Sequence, residues 1–374
     1  MYSKYEYDDF HFMARALVLA KQGLFTTEPN PRVGCVIVNN GKIVGEGFHR
    51  KAGTDHAEKI AIQNAGHNAK GATAYVTLEP CCHHGKTPPC TNLIIEAGIS
   101  RVVAAMEDPN PKVKGKGFEQ LKEAGIEVTL GPMGSEAREL NCGFVSRMER
   151  NLPFIRLKLA TSLDGKTAMA SGESKWITCE ESREDVQRLR ARSSAIITGI
   201  NTVLYDNPSL SVRSPISDAK IMEDETYQPL KVILDSNARI PLDSKILNLP
   251  GKKILAVKED ISQKALRNLI DLDVTILKLS YNSSGLNIES LLKNLSKMEQ
   301  NEVLFECGSS LAGSIIKQRL VDELVVYMAP NIMGNEGKDA FSLPNIDKIA
   351  DRIDLQLKDF RIIGEDMKFL YTLK

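Results

Sequence analysis

The pattern of apolar and polar positions predicts alternating helices and strands along the first part of the chain. Apolar residues recur with helical spacing within 11–22, which predicts an amphipathic first helix. The apolar runs 32–38 and 43–48 flank a short turn containing Asn and Gly, and this arrangement predicts a β-hairpin. Further expected elements are strands at 72–79, 101–106 and 126–130, and helices from residue 56, at 90–97 and at 115–124.

A polar, charged stretch at 141–152 interrupts this pattern, and we interpret it as the link to a second unit. The 374 residues exceed one typical domain. We therefore expect domains at 1–147 and 148–374. In the second, strands are expected at 154–160, 195–198, 231–235, 253–257, 274–277, 302–306 and 322–329, helices at 181–192, 288–298 and 311–319, and a strand-rich end at 355–374.

The alternation of elements favours an α/β fold. In the first domain the hairpin and the later strands would form a mixed sheet between helices, an αβα sandwich with its site at the carboxyl ends of strands. The second domain repeats an α/β pattern.

Composition narrows the class of partner. Lys plus Arg and Asp plus Glu both number 48, so no basic excess indicates nucleic acid or a membrane surface. Three of the seven Cys fall between 81 and 90, which fits a metal in a reducing compartment better than disulfides. The start of the chain has no apolar leader, and no run approaches 18 apolar residues. We expect a cytoplasmic homo-oligomer with a small-molecule substrate.

The strongest chemical signal combines His56, Glu58, Cys81 and Cys90. A His and two Cys can hold a tetrahedral zinc and leave one position for water, and a Glu that is not a ligand can shuttle protons. The spacing resembles the signature of zinc nucleobase deaminases, although the second Cys follows the first by nine positions instead of three. Thr54 or Asp55 could cap the helix that carries His56 and Glu58.

Two other interpretations of these residues stay open. The cluster could be a closed structural zinc site or a set of buried thiols without metal, and Cys82 could compete with Cys81 for the metal. Glu58 favours the catalytic interpretation, because a structural site needs no such carboxylate. We prefer Cys81, since adjacent residues at the end of a strand point to opposite sides.

The second domain is less informative on first principles. The run 306–313 follows a strand and opens a helix, so its free amides could cradle a phosphate, but such turns are also common for packing alone. Neither G-x-G-x-x-G nor a P-loop is present. Lys158, Lys166, Arg190 and Arg213 are candidate anion-binding side chains, although each alone could be a solvated charge.

Several motifs resemble one family across nearly the whole chain. In the first half these are His56-Ala-Glu58, Leu78-Glu-Pro-Cys81, Gly85-Lys-Thr-Pro-Pro-Cys90 and Glu28-Pro-Asn-Pro-Arg-Val-Gly34. In the second half they are Lys158-Leu-Ala-Thr-Ser-Leu-Asp-Gly165, the run 168–178, Asp206-Asn-Pro-Ser-Leu210 and Glu306-Cys-Gly308. The chain thereby resembles the bifunctional riboflavin biosynthesis proteins, which fuse a pyrimidine deaminase to a reductase.

The resemblance implies two successive reactions. A zinc-dependent domain would remove the 2-amine of a diaminopyrimidinone ribosylamine phosphate. A domain with the fold of dihydrofolate reductases would then use NADPH to reduce the ribosyl group to ribityl. This fold would explain the missing Rossmann fingerprint.

The resemblance also implies roles for individual positions. His56, Cys81 and Cys90 would hold zinc, and Glu58 would move protons. The deaminase substrate positions would be Asn30, His49, His83 and Lys86. NADPH would contact Ala160, Trp176, Thr202, Asp206, Gly308, Ser309 and Ser310, and the reductase substrate would contact Ser174, Arg190, Leu210, Arg213 and Glu306.

Two other functions remain possible at this stage. One is a nucleoside or tRNA deaminase with an unrelated appended domain, for which a basic surface would be expected. The other is a non-catalytic binding protein stabilised by zinc.

Overall fold

The computed structural model describes residues 7–82, 89–213, 227–269, 272–283 and 285–374. The chain forms two compact units, Met1–Leu152 and Pro153–Lys374. The α/β class predicted from the alternation of elements is confirmed in both units. In the described part of the chain, no helix combines the length and apolar character needed to cross a membrane.

Unit 1 is built on a mixed sheet with helices on both faces. Its helices are α1 Tyr7–Lys21, α2 Ala57–Ala65, α3 Cys90–Glu96, α4 Lys116–Glu123, α5 Gly134–Leu140 and α6 Cys142–Arg150. Its strands are β1 Gly34–Asn39, β2 Lys42–Phe48, β3 Thr73–Val76, β4 Arg101–Ala104 and β5 Glu127–Leu130, in the order β2-β1-β3-β4-β5. The hairpin strands are antiparallel, and β3, β4 and β5 run parallel.

Each face of this sheet packs against helices in a separate apolar core. One core joins α1, α5 and α6 to residues such as Val36 and Val103, and the other joins α2, α3 and α4 to Ile37 and Val102. Neighbouring residues of one strand thus face opposite cores, as the pleat requires. Gly47 lets α2 approach β2 closely, because a Cβ there would lie 2.4 Å from the carbonyl oxygen of Ala57.

The interpretation of 141–152 as a link was wrong. Most of this stretch is α6, whose buried face includes Phe144 and Val145 and packs in the α1 core. The expected domain boundary between 147 and 148 falls inside this helix, whereas unit 1 ends at Leu152. The charged residues of α6, Arg147, Glu149 and Arg150, all come after its buried run 143–146, so a partly buried helix looked like a polar connection.

Unit 2 contains a large sheet in the order β11-β10-β9-β8-β14-β6-β15-β18-β17. Its strands are β6 Phe154–Thr161, β7 Lys166–Ala168, β8 Ala195–Gly199, β9 Leu230–Leu234, β10 Lys253–Lys258, β11 Thr275–Leu279, β12 Tyr281–Asn282, β13 Gly285–Leu286, β14 Glu302–Glu306, β15 Glu323–Met328, β16 Lys338–Asp339, β17 Leu355–Ile363 and β18 Asp366–Leu373. Its helices are α7 Glu180–Arg192, α8 Ile200–Asp206, α9 Lys245–Asn248, α10 Gln263–Leu266, α11 Ile288–Lys297 and α12 Ser309–Lys317.

Most neighbouring strands of this sheet are parallel, and β18 is antiparallel to both β15 and β17. The central strands were all expected from their apolar runs. The short pairs β12-β13 and β7-β16 and the helix α8 were missed, because elements of two to seven residues show little periodicity. The parallel arrangement brings the carboxyl ends of β6, β8 and β14 to one edge.

Candidate active sites

Three ligand-type side chains meet in unit 1. The ligand atoms of His56, Cys81 and Cys90 all lie within 4.8 Å of one another. Nδ1 of His56 is 3.2 Å from Sγ of Cys90 and 3.6 Å from Sγ of Cys81. A tetrahedral zinc, with bonds of about 2.0 Å to nitrogen and about 2.3 Å to sulfur, separates such atoms by roughly 3.5 to 3.8 Å. The donor set and its spacing therefore fit zinc.

Two of the three ligands stand at the start of a helix, whereas Cys81 lies in the irregular segment that follows β3. His56 occupies the N-cap position of α2, so the helix begins one residue later than expected. The prediction that Thr54 or Asp55 caps it was wrong: the cap makes no side-chain hydrogen bond, and the Thr54 hydroxyl instead donates to the carbonyl of Lys51. The His56 side chain is turned to the thiols. Cys90 is the first residue of α3.

The Cys81 sulfur is stabilised as a thiolate. The backbone N–H of Cys90 lies 3.4 Å from it and donates to it, so the amide at the start of α3 serves Cys81 rather than Cys90. A hydrogen bond from the Cys90 side chain, with help from His56, lowers the pKa of Cys81 to about 4. The hydrogen bond with Cys81 in turn raises the pKa of His56 to about 8.

Glu79 fixes the segment that carries Cys81, and sequence reasoning missed it. Its buried carboxylate accepts hydrogen bonds from the backbone N–H groups of Asp108, Gly115 and Gly117, at 3.1, 2.9 and 2.9 Å. Gly117 comes so close that a Cβ there would lie 2.2 Å from the Pro80 carbonyl oxygen. The signal in the sequence was a carboxylate placed at the end of an apolar strand, where burial demands partners.

Glu58 lies in the first turn of α2 and is 4% exposed. Burial raises the pKa of its carboxyl above the usual value, although His56 opposes that shift. A carboxyl group next to three ligand atoms but outside the set can exchange protons with whatever binds there. Cys82 is also outside the set in the described residues. The reason expected from sequence was wrong, because β3 ends at Val76 and neither Cys81 nor Cys82 belongs to a strand.

Asn30 and His49 lie beside the three proposed zinc ligands. Nδ2 of Asn30 donates to Nε2 of His49 at 3.1 Å, and Nδ1 of His49 donates to the carbonyl of Asp55, also at 3.1 Å. These partners assign the proton of a neutral ring to Nδ1. The rings of His49 and His56 are 5.4 Å apart. His83 and Lys86, the other expected substrate positions, lie outside the described residues.

Unit 2 carries a cavity of about 730 Å³. Most of the positions expected to bind cofactor or reductase substrate line it, although they come from distant parts of the sequence. These are Ala160, Ser174, Arg190, Thr202, Asp206, Leu210, Glu306, Gly308, Ser309 and Ser310. A volume of this size suits a large ligand together with a smaller one.

A bidentate ion pair forms one wall of the cavity. Nε and Nη2 of Arg190 donate to the two carboxylate oxygens of Glu306 at 2.6 and 2.9 Å. Burial alone would raise the pKa of Glu306, but the charge and hydrogen bonds of Arg190, with the charge of Lys158, hold it below its usual value. Glu306 is thus kept as a fixed anion.

Lys158 is the register neighbour of Glu306 on the adjacent parallel strand and also lines the cavity. Burial, together with the charge of Arg190, lowers the pKa of its ammonium, and Glu306 opposes this shift. Lys158 was only one of several candidate anion-binding side chains in the sequence. Its position beside the Glu306 carboxylate, which ends β14, separates it from the others.

Two expected positions are not among the described cavity residues. Trp176 is 68% exposed, with the Arg183 guanidinium 4.6 Å from its ring centre. Arg213 is exposed, and its backbone N–H donates to the Gln187 side chain. The cavity also gains residues that were not expected from sequence, among them Tyr205, Ser236, Leu286 and Lys338. No local motif marks them, because they converge only through the fold.

Comparisons with known proteins assign a family model to each unit. The family model described as the cytidine and deoxycytidylate deaminase zinc-binding region matches residues 6–106. The model described as the RibD C-terminal domain matches residues 153–369. The second match removes the alternative of a deaminase with an unrelated appended domain.

Similar proteins match along nearly their whole length. The riboflavin biosynthesis protein RibD of Escherichia coli is 46% identical over 363 residues, covering 96% of this chain and 98% of its own. The solved structure of Acinetobacter baumannii RibD, form 1, has a TM-score of 0.90 at 43% identity and covers 98% of this chain and 99% of its own.

A third relative carries its activities in its name. The crystal structure of a diaminohydroxyphosphoribosylaminopyrimidine deaminase/5-amino-6-(5-phosphoribosylamino)uracil reductase from Thermotoga maritima has a TM-score of 0.84 at 34% identity, over 98% of this chain and 99% of its own. These matches confirm the family expected from the motifs. The chain belongs to the RibD family of bifunctional riboflavin biosynthesis enzymes, with a deaminase domain followed by a reductase domain.

Proposed function

We propose that unit 1 hydrolyses the 2-amine of 2,5-diamino-6-(5-phosphoribosylamino)pyrimidin-4-one and that unit 2 then reduces the ribosyl side chain of the product with NADPH. The observation that carries this proposal is the cluster of His56, Cys81 and Cys90 with the buried Glu58 beside it. The Thermotoga maritima relative bears these two activities in its name.

In unit 1 the proposed zinc ligands are His56, Cys81 and Cys90. When bound, zinc supplies a Lewis acid that makes water nucleophilic near neutral pH. Glu58 would take the proton that water loses on attacking the amidine-like carbon, and would pass protons to the ring nitrogen and the departing ammonia. Its burial limits competing exchange with solvent.

The proposed substrate positions divide by chemistry. Asn30 and His49 are mutually hydrogen-bonded and offer fixed polar atoms next to the reacting end. Lys86, with His83, would bind the phosphate-bearing end as a cation.

In unit 2 we place NADPH and the ribosylamine in the 730 Å³ cavity. The cofactor positions are Ala160, Trp176, Thr202, Asp206 and 308–310, and the substrate positions are Ser174, Arg190, Leu210, Arg213 and Glu306. NADPH supplies the hydride when bound. Besides a hydride at the anomeric carbon, opening the ribosyl ring would need one proton at the ring oxygen, which Lys158, a cavity-lining residue, would donate.

The domain limits, assembly and location expected from sequence stay predictions. We propose that the deaminase and reductase domains correspond to the two compact units, with the change near residue 152. A cytoplasmic homo-oligomer stays the expected form of the protein.

One assay tests both reactions. The protein is given the diaminopyrimidinone ribosylamine phosphate with NADPH, and ammonia release and NADPH absorbance are followed in the same tube. We expect one ammonia released and one NADPH oxidised for each substrate molecule, with one zinc per chain by elemental analysis. NADPH oxidation without ammonia release, or ammonia release from a protein without zinc, would contradict the proposal.

A further inference from the structure

One segment of unit 2, residues 207–213, directly follows α8 and forms neither helix nor strand. It joins no strand ladder within the described chain, and side chains from elsewhere in unit 2 bind its backbone. The Gln228 side chain bonds both the N–H and the carbonyl of Val212, at 2.9 and 3.0 Å, and the Gln187 side chain accepts from the N–H of Arg213 at 3.0 Å. The conformation of this segment therefore depends on its side-chain partners.

Ser211 is held from two directions. Nη1 of Arg190 donates to its carbonyl at 3.2 Å, while Nζ of Lys231 donates to its hydroxyl at 3.0 Å. The preceding residue, Leu210, is 2% exposed, has a positive φ of 48° and lines the cavity. Fixing Ser211 thereby fixes the strained residue next to it.

Lys231 is an unusual residue to find at this place. It lies in β9, is fully buried, and its second hydrogen bond goes to the carbonyl of Pro250 at 2.9 Å. Both acceptors are neutral, and no carboxylate pairs with it in the part of the chain that the structure describes. A buried ammonium without an anion is costly to maintain, so its presence calls for an explanation.

The charged groups that face Lys231 have its own sign. They are Lys253 of β10, its register neighbour, and Arg190 of α7, which is itself neutralised by Glu306. Burial, followed by repulsion from Lys253 and Arg190, lowers the pKa of Lys231 to about 8. The ammonium thus loses its proton at lower pH than a solvated lysine does.

We propose that Lys231 is a positioning residue of the reductase site, whose buried ammonium holds Ser211 and so keeps Leu210 and Arg190 in the geometry that binds the ribosylamine substrate. This inference rests on the proposed function, in which Leu210 and Arg190 face that substrate. Lys231 does not line the cavity among the described residues, so it acts through the segment and not on the reacting atoms.

The proposal has a pH signature that simple packing lacks. A neutral amine still has two donors, but its hydrogen bonds are weaker than those of an ammonium. Substrate KM should therefore be low while Lys231 is charged and should rise as pH passes about 8. NADPH affinity should not change in the same way, because the Arg190 and Lys231 hydrogen bonds that hold Ser211 involve no proposed cofactor position.

The test measures reductase KM for the deaminated substrate, kcat and NADPH Kd between pH 6.5 and 9.5 in the full-length enzyme. Lys231→Met removes the charge at similar length. We expect KM to rise about tenfold at pH 7 and to lose its alkaline rise, while kcat and NADPH Kd stay within about twofold. Lys253→Met is the matched control: a buried cation in the same register, with no bond to Ser211 in the described chain. The Lys253→Met enzyme should keep a low KM at pH 7. Its KM should begin to rise at a higher pH than in the wild type, because the positive charge of Lys253, which lowers the pKa of Lys231, is gone.

Ser211→Ala gives a second route that does not depend on how Lys231→Met folds. If the ammonium acts through the Ser211 hydroxyl, the two substitutions together should raise KM no more than Lys231→Met alone. Additive effects, a Lys231→Met enzyme with wild-type KM, or a KM that changes together with NADPH Kd would overturn the proposal. A wild-type enzyme that leaves NADPH unoxidised with this substrate would instead contradict the proposed function.

Discussion

The two sites of this protein are built on different scales. In unit 1 three ligand atoms lie within 4.8 Å of one another, and the proposed proton carrier belongs to the same helix turn as one ligand. In unit 2 the cavity walls come from residues that are more than 150 positions apart. A metal demands particular side chains at short range, whereas a nucleotide cavity is formed mainly by backbone and small residues. The first kind of site can therefore be predicted from the spacing of residues in the sequence, whereas the second depends on the tertiary fold.

Their glutamates differ in the same way. Glu306 is locked in a bidentate pair with Arg190, and its pKa is held below the usual value. Glu58 forms no ion pair within the described chain, and burial raises its pKa. One carboxylate is a fixed charge that shapes a wall, and the other is free to exchange a proton. Substitutions at the two sites should therefore separate the two activities.

The largest expected effect is at the metal cluster. Cys81→Ser should remove zinc and abolish deamination, because a serine hydroxyl is a much poorer zinc ligand than a thiolate. Elemental analysis and ammonia release check both. Cys82→Ser is the matched control, with zinc and deamination retained. Retention of zinc by Cys81→Ser together with its loss from Cys82→Ser would exchange the roles of the two cysteines.

Next in size is the wall of the reductase cavity. Glu306→Gln leaves the buried Arg190 guanidinium without its anion, which we expect to reduce unfolding free energy by about 3 kcal/mol and reductase kcat/KM by about 100-fold. Deamination should stay unchanged. Glu289→Gln, in an exposed pair with Lys293, is the control and should change neither property measurably. The thermal midpoint and the two rates decide the outcome.

A smaller effect is expected at the cofactor end. A Cβ on Gly308 would meet only the Thr202 hydroxyl, at 3.9 Å, so Gly308→Val should fold normally and project into the cavity. We expect the NADPH Kd to rise by roughly tenfold, equivalent to about 1.4 kcal/mol. Fluorescence titration with NADPH measures it, and Gly308→Ala should give a smaller change. An unaltered Kd would place the cofactor elsewhere.

The smallest expected effect is at Arg213, a proposed substrate position that lies at the protein surface. Arg213 is exposed, so its proposed contact with a substrate phosphate is screened by solvent. Arg213→Ala should raise reductase substrate KM by no more than about fivefold, since exposed charge pairs contribute about 1 kcal/mol at most. The increase should shrink in high salt. A larger, salt-independent change would mean that Arg213 enters the cavity when substrate binds.

The same contrast explains what could be predicted. His56, Cys81 and Cys90 were assigned from residue type and spacing, and the structure brings their side chains together. Glu79 was missed because its role depends on backbone amides 29 to 38 residues away, and those hydrogen bonds leave no local pattern. Lys231 was missed for a related reason: a lysine at the start of a strand looks solvated until the fold buries it.

The helices and strands also differed in how well the sequence predicted them. Strands with continuous apolar runs, such as β8 and β14, were predicted within one residue or two. The helix α6 was missed because charged and polar residues outnumber apolar ones in 141–152, and only the fold shows that Phe144 and Val145 are buried. The zinc cluster could be predicted from residue type and spacing alone, whereas the cavity positions of unit 2 were reached only through the family resemblance.

The most direct test of two independent sites is the Glu58→Gln enzyme, measured for zinc content, ammonia release and NADPH oxidation. The amide replaces a residue outside the ligand set, so zinc should stay at one per chain, while deamination should fall by about 10²- to 10⁴-fold through the loss of proton transfer. Reduction of the pre-deaminated substrate should proceed at the wild-type rate. Loss of that second reaction in the same enzyme, with zinc retained, would contradict the account.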